Sequence, residues 1–380
     1  MKYNLMFLLM FLLVISLFAQ TAEIDSLKTV IERTTGTEEI DAVNMLAKAY
    51  WQVDLELSIE SGNSALKLSE QLNYKKGEAE AIKNIGGAHY FLGDYDIAVE
   101  LFVESLELRK EIGDNTDIIN ALNNLGIVQE SLNNFEQALE YYLESMDIES
   151  EIGNKDGIAG SLNNIGMVYE KLSDYNKALE YFRRAEDVYK EIGNKYGQAL
   201  TLDNIGSIFR VLTNYDKSIE YHLRALKIHE ETDDKTGIAR TLGNIGMIYD
   251  NIGEREKALD YYHRSLKMEE ELGNSFGIAG ILNNIGIIYD DMKQYDMAID
   301  YYIDSHDIYK YISNPNGIAD ASNNIGVAYK NQKKYNEALQ YLQESLTSYQ
   351  IIGRKKGIAA ALNNIASVYK ETEKYQQALE

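Results

Sequence analysis

The chain has 380 residues, with 37 Lys or Arg against 60 Asp or Glu and a formal charge of −23. So acidic a balance lacks the basic face that phosphate backbones demand, which excludes nucleic acid as the principal partner. There is no cysteine and one proline, and 45% of the residues are apolar. Disulfides and thiolate metal sites are thereby excluded, and so is a disordered chain.

Residues 1–22 differ in character from the remainder of the chain. Lys2 supplies a minimal positive segment, Leu5 to Phe18 is an apolar run, and Ala19-Gln20 offers a small-residue cleavage point. The run is short for a spanning helix and predicts a secretory signal peptide. An uncleaved signal anchor is the alternative; both place the remainder outside the cytoplasm, periplasmic or secreted. Ile24 to Arg33 carries a helical apolar stripe, and a capping helix is expected within 23–36.

From residue 37 the chain repeats every forty residues. Asn44, Asn84, Asn124, Asn164, Asn204, Asn244, Asn284, Asn324 and Asn364 keep strict register. From Gly86 to Gly326 a glycine stands two residues after each asparagine, with Leu46 in its place in the first copy. A fixed period in this range is the signature of stacked repeats. In the copy starting at Gly157, Ile158, Leu162, Ile165, Tyr169 and Leu172 form one apolar stripe. Tyr175, Ala178, Phe182, Ala185, Tyr189 and Ile192 form a second, both at helical period. Ser173-Asp174 separates them, with Asp174 as N-cap, and Gly193 closes the second. Each copy therefore predicts an antiparallel pair of helices of about 16 and 18 residues.

No linker interrupts the copies, so 37–380 reads as one array of eight full units and one truncated unit. The first unit is degenerate, Leu46 and Ser58 replacing the small pair, as terminal repeats are. The unit starting at Gly357 stops early in its second helix, which reads as a fragment of a longer protein.

Leu162-x-x-Ile165-Gly166-x-x-Tyr169 followed by Ala178-x-x-x-Phe182 resembles the tetratricopeptide repeat signature. Lys190 stands where the usual repeat ends in proline, and the helix runs on to Ile192. This is similar to the longer forty-residue subclass with an L-N-N-I-G core, found in peptide-binding polarity scaffolds and bacterial sensor proteins. The resemblance implies an all-α, right-handed superhelical solenoid whose first helices line a concave groove. It further implies a protein- or peptide-binding scaffold, exported, forming the sensory part of a membrane signalling protein. A histidine kinase or cyclase would then lie beyond Glu380, and membrane contact would come only through a signal anchor or a later helix. A free periplasmic scaffold and a rigid homodimerisation arm are the rival readings.

On a helical wheel, positions equivalent to Asn163 and Glu170 point away from the core stripe of the first helix, and Asn164 lies on its flank. The outward column holds Asn123, Asn163, Asp203, Gly243, Asn283, Asn323 and Asn363; the flank column includes Asn124, Asn164, Asn204, Asn244, Asn284 and Asn324. Amides offer donors and acceptors suited to an extended peptide backbone. For the flank column an inter-repeat hydrogen bond is the competing reading, since a buried amide must be paired. The charged column runs Glu130, Glu170, Arg210, Asp250, Asp290, Lys330 and Lys370, a graded field to orient a ligand or a plain solvated face. Tyr141, Tyr181, Tyr221, Tyr261, Tyr301 and Tyr341 read as rings covering inter-repeat seams. Trp51 reads as packing. The five scattered histidines, with no phosphate loop or nucleophile elbow, point to no enzyme, metal or cofactor within the chain.

Overall fold

The computed structural model describes residues 22–379, so the expected signal peptide lies outside the described residues. The described residues divide into two compact units, one holding 22–208 and the other 209–379. In the N-terminal unit, α1 (22–31) precedes α2 (Thr37–Ala49), a 3-10 turn (Tyr50–Gln52) and α3 (Leu55–Leu72). Three pairs come next: α4 (Lys75–Leu92) with α5 (Tyr95–Ile112), α6 (Asn115–Ser131) with α7 (Phe135–Glu151), and α8 (Lys155–Lys171) with α9 (Tyr175–Ile192). α10 (Lys195–Val211) crosses the division.

The C-terminal unit continues with α11 (Tyr215–Glu231), α12 (Lys235–Asn251), α13 (Arg255–Leu272), α14 (Ser275–Asp291) and α15 (Tyr295–Tyr311). It ends with α16 (Pro315–Asn331), α17 (Tyr335–Ile351), α18 (Lys355–Glu371) and the short α19 (Tyr375–Leu379). No helix among the described residues is long and apolar enough to cross a membrane.

The turns are set by the residues at the helix ends. Asp174 Oδ1 accepts from the Lys177 backbone N–H at 3.2 Å, capping α9. At the end of α8, Asp174 N donates to Tyr169 O and Ser173 N to Glu170 O, with Ser173 at φ 60°. That pattern closes the orphan carbonyls of the last turn. A left-handed serine costs about 1 kcal/mol relative to glycine, and Gly193 takes the same conformation (φ 73°) without that cost. Pro315 occupies the first turn of α16, where no donor is needed, and Asn314 caps the Gly317 N–H at 2.8 Å.

Close approach of the paired helices sets the packing. A Cβ on Gly166 would lie 2.7 Å from the Phe182 ring, so α8 and α9 meet only because position 166 is bare. Phe182, Ile165, Ala178 and Ala185 are fully buried, and burial of the phenyl ring alone contributes about 2–3 kcal/mol. A serine in the second helix ties four pairs: Ser105, Ser265, Ser305 and Ser345 donate to Ala79, Ala239, Ala279 and Ala319 carbonyls at 2.8–2.9 Å. Trp51 lies against Gly87 and donates from Nε1 to the Asn84 carbonyl at 3.0 Å, a packing role.

Candidate ligand-binding stripe

The wheel treats each first helix as if it stood alone, and the structure corrects it. Asn163 and Asp203, expected to face outward, are 7% and 3% exposed. Asn123, Asn283 and Asn323 are half-buried. For Asn163 the cause is the neighbouring repeat, whose own first helix, α10, lies against that flank. Asn204 Nδ2 donates to Asn163 Oδ1 at 3.0 Å, and Thr201 Oγ1 reaches the same oxygen at 3.5 Å. In the C-terminal unit Asn324 Nδ2 donates to Asn283 Oδ1 at 3.0 Å, and Asn364 Nδ2 to Asn323 Oδ1 at 2.9 Å.

The two asparagine columns are thus halves of one ladder. A flank asparagine donates across the seam to the outward asparagine of the repeat before it. A half-buried amide needs such a partner, and the forty-residue register supplies it. The ladder varies where its first member changes. Asn84, preceded in register by Val43, donates instead to the Asn44 backbone carbonyl at 2.9 Å, while Asn44 donates to Gly77 O at 3.0 Å. Lys83 pairs within its own helix with Glu80 and leaves Asn124 half-buried without a rung. Asn123 Oδ1 is buried without a hydrogen-bond partner among the described residues, so no rung joins it to the half-buried Asn164. Gly243 has no side chain, and Asn284 makes no rung there. Asn244 is half-buried on α12.

A rung consumes the oxygen of the earlier asparagine and leaves its nitrogen. Asn163 Nδ2 is in contact with Met167 Sδ at 3.6 Å. The Nδ2 groups of Asn283 and Asn323 make no hydrogen bond among the described residues, although their Oδ1 atoms are held. The Asn283 and Asn323 amides are therefore each fixed in one orientation with two donors to offer.

Four residues further along each helix lies a column absent from the sequence-based expectations: Ile127, Met167, Ser207, Met247, Ile287 and Val327. Ile127 is 44% exposed and the others are half-buried. The column stands between the outward asparagine and the charged position, and its i+4 spacing from Asn123 or Asn163 was the signal available. On α6, α8, α14 and α16 the surface is then an amide, an apolar side chain and a charge.

The charged column is not a solvated face. Glu130, Glu170, Arg210, Asp250, Asp290 and Lys330 are all half-buried, while Lys370 is exposed. Burial raises the carboxyls of Glu130, Asp250 and Asp290 above the ordinary range. For Glu130 this is opposed by the Tyr142 hydroxyl, which donates at 2.7 Å. For Asp250 and Asp290 the neighbouring Asp291 adds to the rise. In the C-terminal unit the stripe is thus acidic at Asp250 and Asp290 and basic at Lys330.

The tyrosines cover seams as expected: Tyr181 packs against a cluster of Ala138, Tyr142, Ile165 and Val168 that spans two successive repeats. Tyr181, Tyr221, Tyr261, Tyr301 and Tyr341 also stack on the aromatic residue twelve positions earlier, whereas Tyr141 has Gln129 there. Tyr169–Tyr181, Phe209–Tyr221, Tyr249–Tyr261 and Tyr289–Tyr301 have centroids 5.4 Å apart, and Tyr329–Tyr341 5.8 Å. Among the described residues no cluster of His, Asp or Glu is arranged to hold a metal ion.

A family model described as tetratricopeptide repeat matches residues 77–151, 117–191, 157–210, 197–271, 251–311, 277–351 and 317–380. No curated protein matches the chain. Several solved structures share the fold. One is a Signal Transduction ATPase with Numerous Domains protein with a tetratricopeptide repeat sensor from Pyrococcus horikoshii. It is 18% identical with a TM-score of 0.63, over 91% of this chain and 52% of that one. Another is the apo quorum sensor NprR from B. thuringiensis, 14% identical with a TM-score of 0.60, over 85% and 91%. A third is the Rap conjugation gene regulator of plasmid pLS20 in complex with the Phr* peptide. It is 12% identical with a TM-score of 0.56, over 88% and 96%.

Proposed function

The chain belongs to the tetratricopeptide repeat family, and on that premise we propose that it binds an extended peptide or protein segment along its first helices. The observation that carries the reading is the pair of amides Asn283 and Asn323. Their oxygens are held by the ladder and their nitrogens are left as donors beside Ile287, Val327, Asp290 and Lys330. Fixed donors meet a peptide backbone at little entropic cost, the apolar column takes side chains, and the charges set direction. A quorum sensor and a regulator solved with a peptide share the fold, which supports a peptide as the ligand class. The apolar run Leu5–Phe18 supports export, and the chain would serve as the extracytoplasmic sensory part of a membrane signalling protein.

The test exploits Asp203, which shows that an aspartate is accommodated in the outward column. Asn283→Asp with Asn323→Asp keeps the oxygens that Asn324 and Asn364 bond and removes the nitrogens. A peptide enriched from a phage-displayed random library on the full chain should bind the double variant at least about tenfold more weakly, the value of one to two hydrogen bonds. The unfolding midpoint should stay within error. If no peptide is enriched, or if the enriched peptide binds both proteins equally, the reading fails.

A further inference from the structure

The turn edge of the seam between the first two repeats differs from its counterparts further along. In the C-terminal unit polar pairs close that edge: Arg255 Nη2 meets Asp291 Oδ2 at 3.4 Å, and Gln332 Nε2 donates to Asp296 Oδ1 at 2.7 Å. At the first seam the same registers hold Leu55 opposite Phe91 and Glu56 opposite Leu92. Neither pairing can form a polar bridge, and two apolar side chains stand in its place.

Those side chains are uncovered. Phe91 is 54% exposed, Val53 51% and Leu92 48%. The Phe91 ring is held by two neighbours, Trp51 with centroids 5.8 Å apart and Tyr90 edge-on at 5.5 Å. At the Phe91 register the later repeats carry Ser131, Lys171, Val211, Asn251, Asp291 and Asn331, polar in all but one. An exposed apolar patch confined to one seam marks a surface for something else to cover.

Its rim carries one sign of charge. Asp54, Glu56, Asp94 and Asp96 are exposed, and the stretches that build the seam, 49–66 and 84–108, contain no lysine or arginine. Asp54 caps the Leu57 N–H, and Asp94 lies 3.1 Å from His89 Nδ1. The carboxylates of Glu56 and Asp96 have no hydrogen bond or ion pair among the described residues. A second copy docked symmetrically would set this acidic rim against itself, and an anionic lipid surface would meet the same repulsion. The turn N–H groups of Gly93 and Asp94 already bond to Tyr90 and His89 carbonyls. Side chains therefore make the surface, which suits a helix that satisfies its own backbone.

We propose that the first seam docks an amphipathic helix of a partner protein, its apolar face on Phe91, Val53 and Leu92 and its lysine or arginine flanks toward Glu56 and Asp96. The surface uses no residue of the asparagine stripe and stands apart from the peptide reading.

The test adds a peptide of repeated Leu-Lys-Lys-Leu-Leu-Lys-Leu heptads, a cationic amphipathic helix without aromatic residues, to the full chain. Trp51 is the single tryptophan and touches Phe91, so its emission should change saturably where the anisotropy of a fluorescein-labelled copy rises. Phe91→Ser with Val53→Asn installs the residues that Ser131 and Asn133 supply in the same registers and leaves the charge unchanged. It should weaken binding at least about tenfold and leave the circular dichroism as it was. Glu56→Gln with Asp96→Asn should weaken binding about fivefold and flatten its salt dependence. The same peptide in scrambled order, or with glutamate for lysine, should bind at least about tenfold more weakly. Equal binding by either double variant or either control peptide, or no saturable change at Trp51, would overturn the proposal. A dimer in sedimentation that Phe91→Ser with Val53→Asn abolishes would assign the seam to a second copy, and an equal Trp51 response to anionic vesicles would assign it to a membrane. Either result would overturn the partner helix.

Discussion

Replacing Gly243 by asparagine should repair the ladder. Position 243 is the one bare place in the outward column, so Asn284 has no oxygen to bond. A Cβ there would lie 3.3 Å from Ile281 Cδ1 and 3.5 Å from Ser265 Oγ. The first neighbour is the tip of a flexible side chain and gives way by a few tenths of an ångström. A new hydrogen bond contributes about 0.5–1.5 kcal/mol, and removing a mid-helix glycine adds about 0.3 kcal/mol. Ordering the new amide costs about 0.5–1 kcal/mol. The net expectation is about 0.5 kcal/mol of added stability, local to α12 and α14. Repeat arrays depart from two-state unfolding, so hydrogen exchange of the amides in these helices is the assay. Asn284→Ala separates the rung from the propensity gain. It should cost less than about 0.5 kcal/mol in the parent chain and about 1 kcal/mol in Gly243→Asn. Equal cost in both backgrounds would show that no rung forms and that the ladder reasoning is wrong.

The same contacts imply other outcomes. Asn323→Ala should lower stability by about 1 kcal/mol, because Asn364 loses its acceptor; an unchanged denaturation curve would deny the rung any energetic role. Gly166→Ala should cost about 1–3 kcal/mol, since its methyl meets the Phe182 ring at 2.7 Å, and a neutral result would mean that α8 and α9 can separate freely. Burial raises the carboxyls of Glu149 and Glu269 when folded. The folded state then binds more protons than the unfolded one, so stability falls as pH rises through and above the ordinary carboxylate range. Glu149→Gln should flatten that slope and stabilise the protein at pH 7, as read from denaturant midpoints at several pH values. Trp51, the single tryptophan, should report only the first repeats, so its emission should change at a lower denaturant concentration than the helical signal. Coincident transitions would contradict that local reading.

The period made most of the fold legible. Helix pairs, the Asp174 cap, the left-handed turn at Gly193 and the close approach at Gly166 are all dictated by local residue chemistry, and the structure has them. Exposure at the site was less legible. A wheel drawn for one helix knows its own core but not the neighbour lying forty residues away, which is why the wheel points Asn163 outward. The rung between Asn163 and Asn204 spans 41 residues, one more than the period, so it links two columns that a search for identical positions keeps apart. Ile127 and Met167 escape notice because apolar residues beside a core stripe read as part of it. The ring stacks join positions twelve apart on different helices, a spacing that no single-helix pattern reveals.

Rungs, serine ties and ring stacks all join a repeat to itself or to its sequence neighbour. Such a chain has a mechanical character that its stability does not describe. Pulled by its ends, a fold whose termini are sewn together must tear many bonds at once, whereas here load falls on one seam at a time. Each repeat of forty residues released would lengthen the chain by about 130–140 Å at roughly 3.3–3.6 Å per residue. The expected response to stretching is a series of even, low-force steps, with the rung-poor seam at Gly243 among the first in its unit to open. Within each compact unit, the chain would behave as a spring before it behaved as a rod.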